Sequence, residues 1–306
     1  MIGRVALALL LLAPVAGAQE PARHDLRARH TAQVGDEVQV VERERMRQRF
    51  RLERDGQVLE EGKEATGTEQ RYLRRVEAVA DGVITGEWRR YELVKHLGEP
   101  EQEERYEPAI ELRVALREDR RSYARVGDAA QPLPRLLHAA IERETAGKVE
   151  RKREDAPYLA LFPERPVAVG EEWVVAPARL AKVLTLDPRH VGSAASSARA
   201  RLKAVDASAG RRFYEVELSF SLALTHVLEQ PVQSPGTLSG KLELGLSPDG
   251  PRRYARVQAV MEYQGPCPGQ DVPPGSQLKL RLELENTDER TPPPPRPAGP
   301  APPGRG

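Results

Sequence analysis

The feature that most constrains this fold is an alternation of apolar and polar residues with a period of two. Between positions 213 and 224, every second side chain is apolar and most of the intervening ones are polar. The apolar set is Tyr214, Val216, Leu218, Phe220, Leu222 and Leu224. Successive side chains of a β-strand point to opposite faces, so this pattern predicts a strand with one apolar face. Similar rows occur at 238–246, 255–263 and 278–284.

Short turn sequences separate these apolar rows. The clearest is Pro248-Asp249-Gly250, which links two of them. Strands that are joined by such short turns usually pair in antiparallel fashion. We therefore predict a mainly β fold, with the second half of the chain forming an antiparallel meander that has one apolar face.

The first half of the chain shows the same alternation with more charge. Residues 38–52 place apolar side chains on one face and five arginines on the other. These five residues, here called the arginine stripe, are Arg43, Arg45, Arg47, Arg49 and Arg51. Such a run of cations indicates either a site for a polyanion or a solvated face that acidic neighbours neutralise.

A hairpin turn at Asp55-Gly56 favours the second interpretation of the arginine stripe. Folding the chain about this turn is expected to set Arg51 opposite Glu60. The same register sets Arg47 opposite Glu64. We therefore expect the stripe to be largely salt-bridged, since exposed charge pairs across neighbouring strands are common and individually weak.

Two short helices are predicted among the strands. One follows Pro132 and ends before Gly147, because its apolar residues recur with the period of a helix. Those residues are Leu133, Leu136, Leu137, Ala140 and Ile141. A shorter helix is predicted over 178–186. Each helix is expected to cover the apolar face of one half of the chain.

The two halves share four sequence blocks in the same order. Block 34–37 recurs as 169–172, block 76–79 as 202–205, block 111–116 as 241–246, and block 121–126 as 252–257. We therefore predict a tandem duplication with curved sheets, the first meander domain spanning 34–147 and the second 148–290. Two unrelated meanders with inserted gaps are the alternative. The pattern is compatible with two separate domains or with one continuous sheet.

The N-terminus predicts export. A basic residue, Arg4, precedes the apolar run 5–15, and Ala16-Gly17-Ala18 follows it as a signal-peptidase site. The apolar run is too short for a membrane span, which needs about 20 residues. Residues 1–18 are therefore predicted to be a signal peptide cleaved after Ala18, and the mature chain to be periplasmic or extracellular with no transmembrane segment. Residues 19–33 are expected to be a flexible segment.

Charge and cysteine content exclude several classes of protein. The chain has 47 basic and 46 acidic residues, a balance that argues against a nucleic-acid-binding protein. The only cysteine, Cys267, excludes an intrachain disulfide. Eight prolines in the last sixteen residues predict a disordered tail over 291–306.

A motif lies between the two halves, in the order Phe162, Pro163, Pro166, Gly170 and Trp173. This spacing, flanked by strand-rich halves, resembles a family of exported bacterial proteins of unknown function. The resemblance implies a similar layout over most of the mature chain and brings no catalytic residues with it. Physically, the motif is expected to be a structural joint between the halves.

The sequence lacks the spacings of known catalytic or metal sites. None of the six histidines lies at a ligand spacing such as H-x-H or H-E-x-x-H. No nucleophile elbow, phosphate loop or dinucleotide-binding turn is present. We therefore expect no enzymatic activity, no cofactor, and no catalytic, cofactor-binding or metal-binding residues. Catalytic groups assembled across strands are the alternative.

These observations lead to two main hypotheses for function. The first is a non-enzymatic cell-envelope protein that binds another envelope protein or a surface polymer. The alternative is a lipid or lipoprotein carrier that uses the concave apolar face of a curved sheet. A closed core that fills this face would exclude the carrier.

Overall fold

A computed structural model describes residues 21–28, 30–98, 101–117, 120–127, 130–145, 156–207, 211–268 and 272–294. Strands make up 65% of the structure and helices 9%, which confirms the prediction of a mainly β fold. The predicted signal peptide, 1–18, lies outside the described residues. So does most of the proline-rich tail, although Thr291 is the last residue of a strand.

The described residues form thirteen strands and three short α-helices. The strands are β1 (Arg23–His24), β2 (Glu37–Arg54), β3 (Gln57–Ala80), β4 (Val83–His96), β5 (Gln102–Arg117), β6 (Arg120–Arg125), β7 (Val167–Ala168), β8 (Glu172–Val174), β9 (Val191–Asp206), β10 (Phe213–Val227), β11 (Gln230–Leu246), β12 (Arg253–Pro266) and β13 (Gln277–Thr291). The helices are α1 (Arg135–Thr145), α2 (Ala156–Leu159) and α3 (Pro177–Val183). Of these, α1 and α3 occupy the two positions predicted from the helical periodicity.

Eleven strands form one antiparallel sheet in the order β6-β5-β4-β3-β2-β13-β12-β11-β10-β9-β8. The last strand, β13, pairs with β2 along its whole length, with Arg290 opposite Val40 and Leu284 opposite Met46. This pairing, here called the seam, joins the two halves of the chain edge to edge. The halves therefore share one continuous sheet, a point that the strand pattern leaves open.

The sheet is curved, and its concave side is the inner face. Arg74 of β3 and Arg253 of β12 line one cleft, although β2 and β13 lie between their strands in the sheet. Inner-face residues of the first half pack against Leu137 and Ile141 of α1. Those of the second half pack against α3 and the preceding segment. Each half therefore has its own helix over its own apolar core.

Matching hydrogen bonds occur where each half begins. The Gly35 N–H donates to the carbonyl of Val76 at 2.9 Å, and the Gly170 N–H donates to the carbonyl of Leu202 at 2.7 Å. In return, the Val76 N–H donates to the carbonyl of Asp36, and the Leu202 N–H donates to the carbonyl of Glu171. Both glycines have positive φ, +94° and +85°. The same local geometry therefore precedes both β2 and β8.

The motif between the halves lies inside the core of the second half. Phe162 and Trp173 are buried in that core. The indole N–H of Trp173 donates to the carbonyl of Leu161 at 2.8 Å. Arg165 forms an ion pair with Glu171 beside the turn. The motif residues thus hold the segment that precedes β8 against the sheet.

The N-terminal segment differs from the expectation that residues 19–33 are flexible. Arg23–His24 forms β1, which pairs with β7. Leu26 is buried in the core of the second half. His30 Nε2 lies 2.6 Å from an oxygen of Asp36, at the start of the first half. The described part of this segment is therefore bound to both halves, because its apolar and polar side chains find partners on each.

The expected register of the arginine stripe is wrong by one residue. The turn at Asp55-Gly56 is present, but a β-bulge follows between Leu52 and Glu53. Beyond it, Arg51 lies opposite Glu61, and Arg47 lies opposite an alanine. The bulge adds one residue to β3, so all later pairs are displaced.

Candidate functional site

The chemistry of this protein is concentrated on the inner face around the seam. Even-numbered residues of β2 point to this face, where Val38 and Val40 are buried, and the odd-numbered arginine stripe points to the outer face. Two groups of residues lie on the inner face near the seam. One is a buried cluster of charged and tyrosine side chains, and the other is a band of half-exposed apolar side chains.

The buried cluster, here called the polar cluster, centres on Arg89 of β4. Its Nε donates to Glu87 at 2.7 Å, and its Nη1 donates to the Tyr91 hydroxyl at 2.9 Å and to Glu144 of α1 at 3.0 Å. Its Nη2 lies 2.5 Å from Glu87. Its guanidinium also lies 5.0 Å from the ring centre of Tyr72. With its donors occupied by protein groups, Arg89 ties α1 to the sheet.

Glu42 lies next in the cluster, on β2. The Tyr72 hydroxyl donates to its Oε1 at 2.9 Å. Burial raises the pKa of Glu42; Arg89 opposes this shift, and the charges of Glu144 and Asp288 add to it. This carboxyl therefore holds its proton to a higher pH in the fold than in water.

The second half of the chain completes the polar cluster through β13 and β12. Asp288 lies directly opposite Glu42 across the seam. It accepts from Arg290 at 3.3 Å and from Arg253 at 3.2 Å. Both strands of the seam therefore contribute carboxylates to one cluster, with arginines on either side.

This arrangement is that of a structural ion network. Glu87, Glu144 and Asp288 pair with guanidinium groups. Removing one partner of such a buried pair typically costs about 3–5 kcal/mol. Among the described residues, no group of three or more His, Cys, Asp or Glu side chains is placed to hold a metal ion. The cluster is therefore suited to holding α1 and the seam together.

Sequence reasoning missed the polar cluster. Its residues come from β2, β3, β4, β12, β13 and α1, which are separated by up to 248 positions between Glu42 and Arg290. The available signal was local: Arg74, Glu87 and Arg89 occupy inward positions of their strands, where apolar residues are the rule. Charged residues at inward positions indicate buried ion pairs, but they do not identify the partners.

The band of apolar side chains, here called the seam strip, lies beside the polar cluster. Its members are only partly buried and are Met46, Phe50, Met261, Leu282 and Leu284. They occupy three adjacent strands, β2, β13 and β12, which pair in register, and Gln48 lies between Met46 and Phe50 on β2, opposite Leu282. From Met46 to Phe50 the strip is about 13 Å long, given the rise of a strand. It is about 10 Å wide across the three strands.

Polar groups border the seam strip on its β3 side and at the end nearest the polar cluster. Thr66 and Thr68 face it from β3. Gln70 is buried, and its Oε1 has no hydrogen-bond partner among the described residues. Glu44 and Asn286, which face each other across the seam, are exposed. The strip is therefore an apolar floor with a polar margin.

The rest of the concave apolar face in the second half is filled. Leu218, Leu222 and Leu242, which belong to the predicted apolar rows, are almost completely buried. Leu180 of α3 and Phe162 pack on this face. The carrier hypothesis suggests an apolar face that is open over the whole second half. In the structure, the part of that face left for a ligand is the seam strip.

The structure does not assemble the histidines into one site. His190 and His226 stack with ring centres 3.9 Å apart. His96 contacts a backbone carbonyl, and His138 faces Glu142 on the same helix. Cys267 is partly buried, and burial raises the pKa of its thiol.

No protein-family model matches this chain, and no significant relative was found among curated proteins. Membership of the family that the Phe162–Trp173 motif resembles therefore stays a prediction. What the inner face can bind follows from its own geometry and charge.

Proposed function

We propose that this protein is exported from the cytoplasm and serves, without enzymatic activity, as a binding module of the cell envelope. The signal-peptide pattern of residues 1–18 supports export. The pairing of Glu87, Glu144 and Asp288 of the polar cluster with arginines supports a non-catalytic role. In the described part of the chain, no helix is both long and apolar enough to cross a membrane.

The ligand best suited to the inner face is an amphipathic molecule whose apolar chain lies on the seam strip. One observation carries this proposal: five partly buried apolar side chains, interrupted on β2 by Gln48, form a band along the seam. Met261 and Leu284 of this band pack at the margin of the second-half core, and Phe50 packs beside Tyr263 and Leu280. A partly exposed apolar band with polar groups at its margin can serve as the floor of a site for an apolar chain. A lipid, or the acyl chain of a lipoprotein, would bury this band, while the polar margin would face the head group.

The dimensions of the strip fit such a chain. The hydrocarbon core of a bilayer is about 30 Å thick, so one acyl chain extends about 15 Å. The strip is about 13 Å long along β2. The two methionines, Met46 and Met261, have flexible side chains that adapt to different apolar ligands.

A tandem duplication would explain where the strip lies. The matching hydrogen bonds at Gly35 and Gly170 support equivalent starts of the two halves. In this arrangement β13 has no counterpart in the first half, and its pairing with β2 creates the seam. The proposed ligand surface would then arise from joining two copies.

The test uses the mature chain from Gln19 onward and the fluorescent fatty acid cis-parinaric acid. We expect saturable binding by the wild type and at least tenfold weaker binding by Leu282→Gln, which places an amide in the strip. Leu228→Gln is the matched control, because Leu228 is exposed at the β10–β11 turn, away from the strip. No binding by the wild type, or equal binding by Leu282→Gln, would rule out the seam strip.

Export has its own test. The full chain is expressed in a bacterial host, and the protein recovered from the periplasm is analysed by intact mass. A chain that begins at Gln19 is expected. Retention of residues 1–18, in the cytoplasm or the membrane, would contradict the proposal of cleavage and export.

A further inference from the structure

Three cations face one another across neighbouring strands on the outer face, opposite the seam strip. Arg49 of β2 lies directly opposite Lys63 of β3 on one side and Arg281 of β13 on the other. These three residues are here called the cation row. The bulge after Leu52 determines this alignment, because it shifts β3 by one position relative to a regular hairpin.

The cation row differs from two other members of the arginine stripe, Arg43 and Arg47. Arg43 pairs with Glu69 at 2.6 Å, and Arg47 lies 3.9 Å from Glu283. These cations have the acidic partners that a solvated face normally provides. Like charges directly opposite each other destabilise a sheet instead. The row is therefore expected to cost stability. Arg51 also lies opposite a cation, Lys279, but these two share the acidic neighbour Glu53.

Two members of the cation row have no acidic partner. Arg49 and Lys63 are exposed and make no ion pair within the part of the chain that the structure describes. Arg281 contacts Glu262 at 2.6 Å and Glu283 at 3.1 Å. Positive charge is thus left uncompensated at the β2–β3 side of the row.

The row lines a depression of the outer face. The next row of the sheet adds Arg51 and Lys279 to the same depression. These two cations share the acidic neighbour Glu53, at 2.6 Å and 3.1 Å. The row of Lys63, Arg49 and Arg281 is cationic over a width of about 10 Å, two strand spacings. It ends at Glu262 of β12, which lies opposite Arg281, and further acidic residues lie in the rows on either side.

We propose that the cation row binds a linear anionic polymer that carries carboxylate or phosphate groups along its length. A narrow chain that runs along the row meets three cations in succession. A broad anionic surface, such as a lipid bilayer, would also meet Glu61 and Glu283 in the adjacent rows, and these carboxylates would offset part of the attraction of the cations beside them. This site lies on the opposite face from the seam strip and does not depend on a ligand there.

The experiment measures binding of the mature chain to polygalacturonate and to inorganic polyphosphate at low salt. We expect binding to at least one of these polymers, weakened by added salt because exposed charges are screened. Arg49→Gln and Lys63→Gln together should weaken it at least tenfold. Arg199→Gln with Arg211→Gln is the control of equal charge, since both arginines are exposed outside the row. This control should change the affinity less than twofold.

A second variant separates loss of the site from loss of the fold. Arg49→Glu places an acid between Lys63 and Arg281, so it should raise the melting temperature while abolishing polymer binding. The proposal is overturned if the wild type binds neither polymer, or if the row variants bind as well as the control. Binding to vesicles of anionic phospholipid but to neither polymer would also overturn it, in favour of a membrane surface.

Discussion

The hydroxyl of Tyr72 donates a 2.9 Å hydrogen bond to Glu42 across the β2–β3 pair. The two residues are diagonal neighbours on the inner face, since Tyr72 lies directly opposite Val40. Asp288, which faces Glu42 across the seam, brings a second carboxylate to the same place. The join between the halves thus contains an acid whose pKa is raised by burial.

The first prediction concerns the pH dependence of stability. Because the pKa of Glu42 is raised, the folded chain keeps a proton at a pH where the unfolded chain has released it. Stability therefore falls as the pH rises from the ordinary glutamate range through the raised pKa. Glu42→Gln keeps an acceptor for Tyr72 and removes this loss. Denaturant unfolding should show the variant more stable than the wild type at pH 8 and similar to it at pH 4.

The size of this effect is about 1.4 kcal/mol for each unit by which the pKa is raised. Glu44→Gln serves as the control, because Glu44 lies on the same strand and face but is exposed. Its stability difference from the wild type should be small and nearly independent of pH. An equal pH dependence in both variants would show that Glu42 is not the responsible group.

The second prediction is that the two halves unfold together. Each half contains one tryptophan, Trp88 in β4 and Trp173 in β8. Trp88→Phe and Trp173→Phe each leave a single tryptophan that reports on one half by fluorescence. Because the continuous pairing of β13 with β2 couples the halves, the fluorescence and circular-dichroism transitions should coincide within each variant. A fluorescence transition in one variant that is separate from its circular-dichroism transition would show that the seam does not couple the halves.

The third prediction concerns the two glycines that begin the halves. Gly35 and Gly170 have positive φ, and an added Cβ would meet no atom within 4 Å at either position. The cost of Gly35→Ala or Gly170→Ala is therefore that of the left-handed backbone alone, about 1–2 kcal/mol. Chemical denaturation should give similar losses for both variants. A loss at only one position would contradict the equivalence of the two starts.

The fourth prediction concerns the single thiol. Burial raises the pKa of Cys267, so less of the reactive thiolate is present than for a free cysteine at the same pH. Its backbone N–H is also held by the carbonyl of Ser276 at 2.9 Å. Reaction with a thiol reagent at pH 8 should be several-fold slower in the native chain than in denaturant. Equal rates would show that the thiol is freely exposed.

Local patterns predicted the strands and helices well. The alternation around Leu218 and Leu222 corresponds to β10, and the periodicity around Leu137 corresponds to α1. These predictions hold because the alternation of a strand and the period of a helix depend only on residues within one element. The order of apolar and polar side chains there decides which face is buried. The register of the arginine stripe was wrong for the opposite reason. A single bulge near Leu52 depends on pairing with another strand and leaves no clear local signal.

The candidate site was beyond prediction for a related reason. Met46 and Leu284 look like ordinary inward-facing residues of two strands in different halves. Only the pairing of β13 with β2 places them side by side, and only the limited reach of α1 and α3 leaves them half-exposed. The same holds for Arg49, whose lack of an acidic partner depends on both neighbouring strands.

The amino-acid sequence by itself determined the class of the fold, the elements within each half, and the absence of known catalytic motifs, because these depend on residue type and short-range spacing. The tertiary structure alone decided that the halves share one sheet, that Glu42 and Asp288 meet, and that the cation row forms. Those features depend on contacts between residues far apart in the chain. Their energy comes from burial and charge in the assembled fold, so no local pattern contains them.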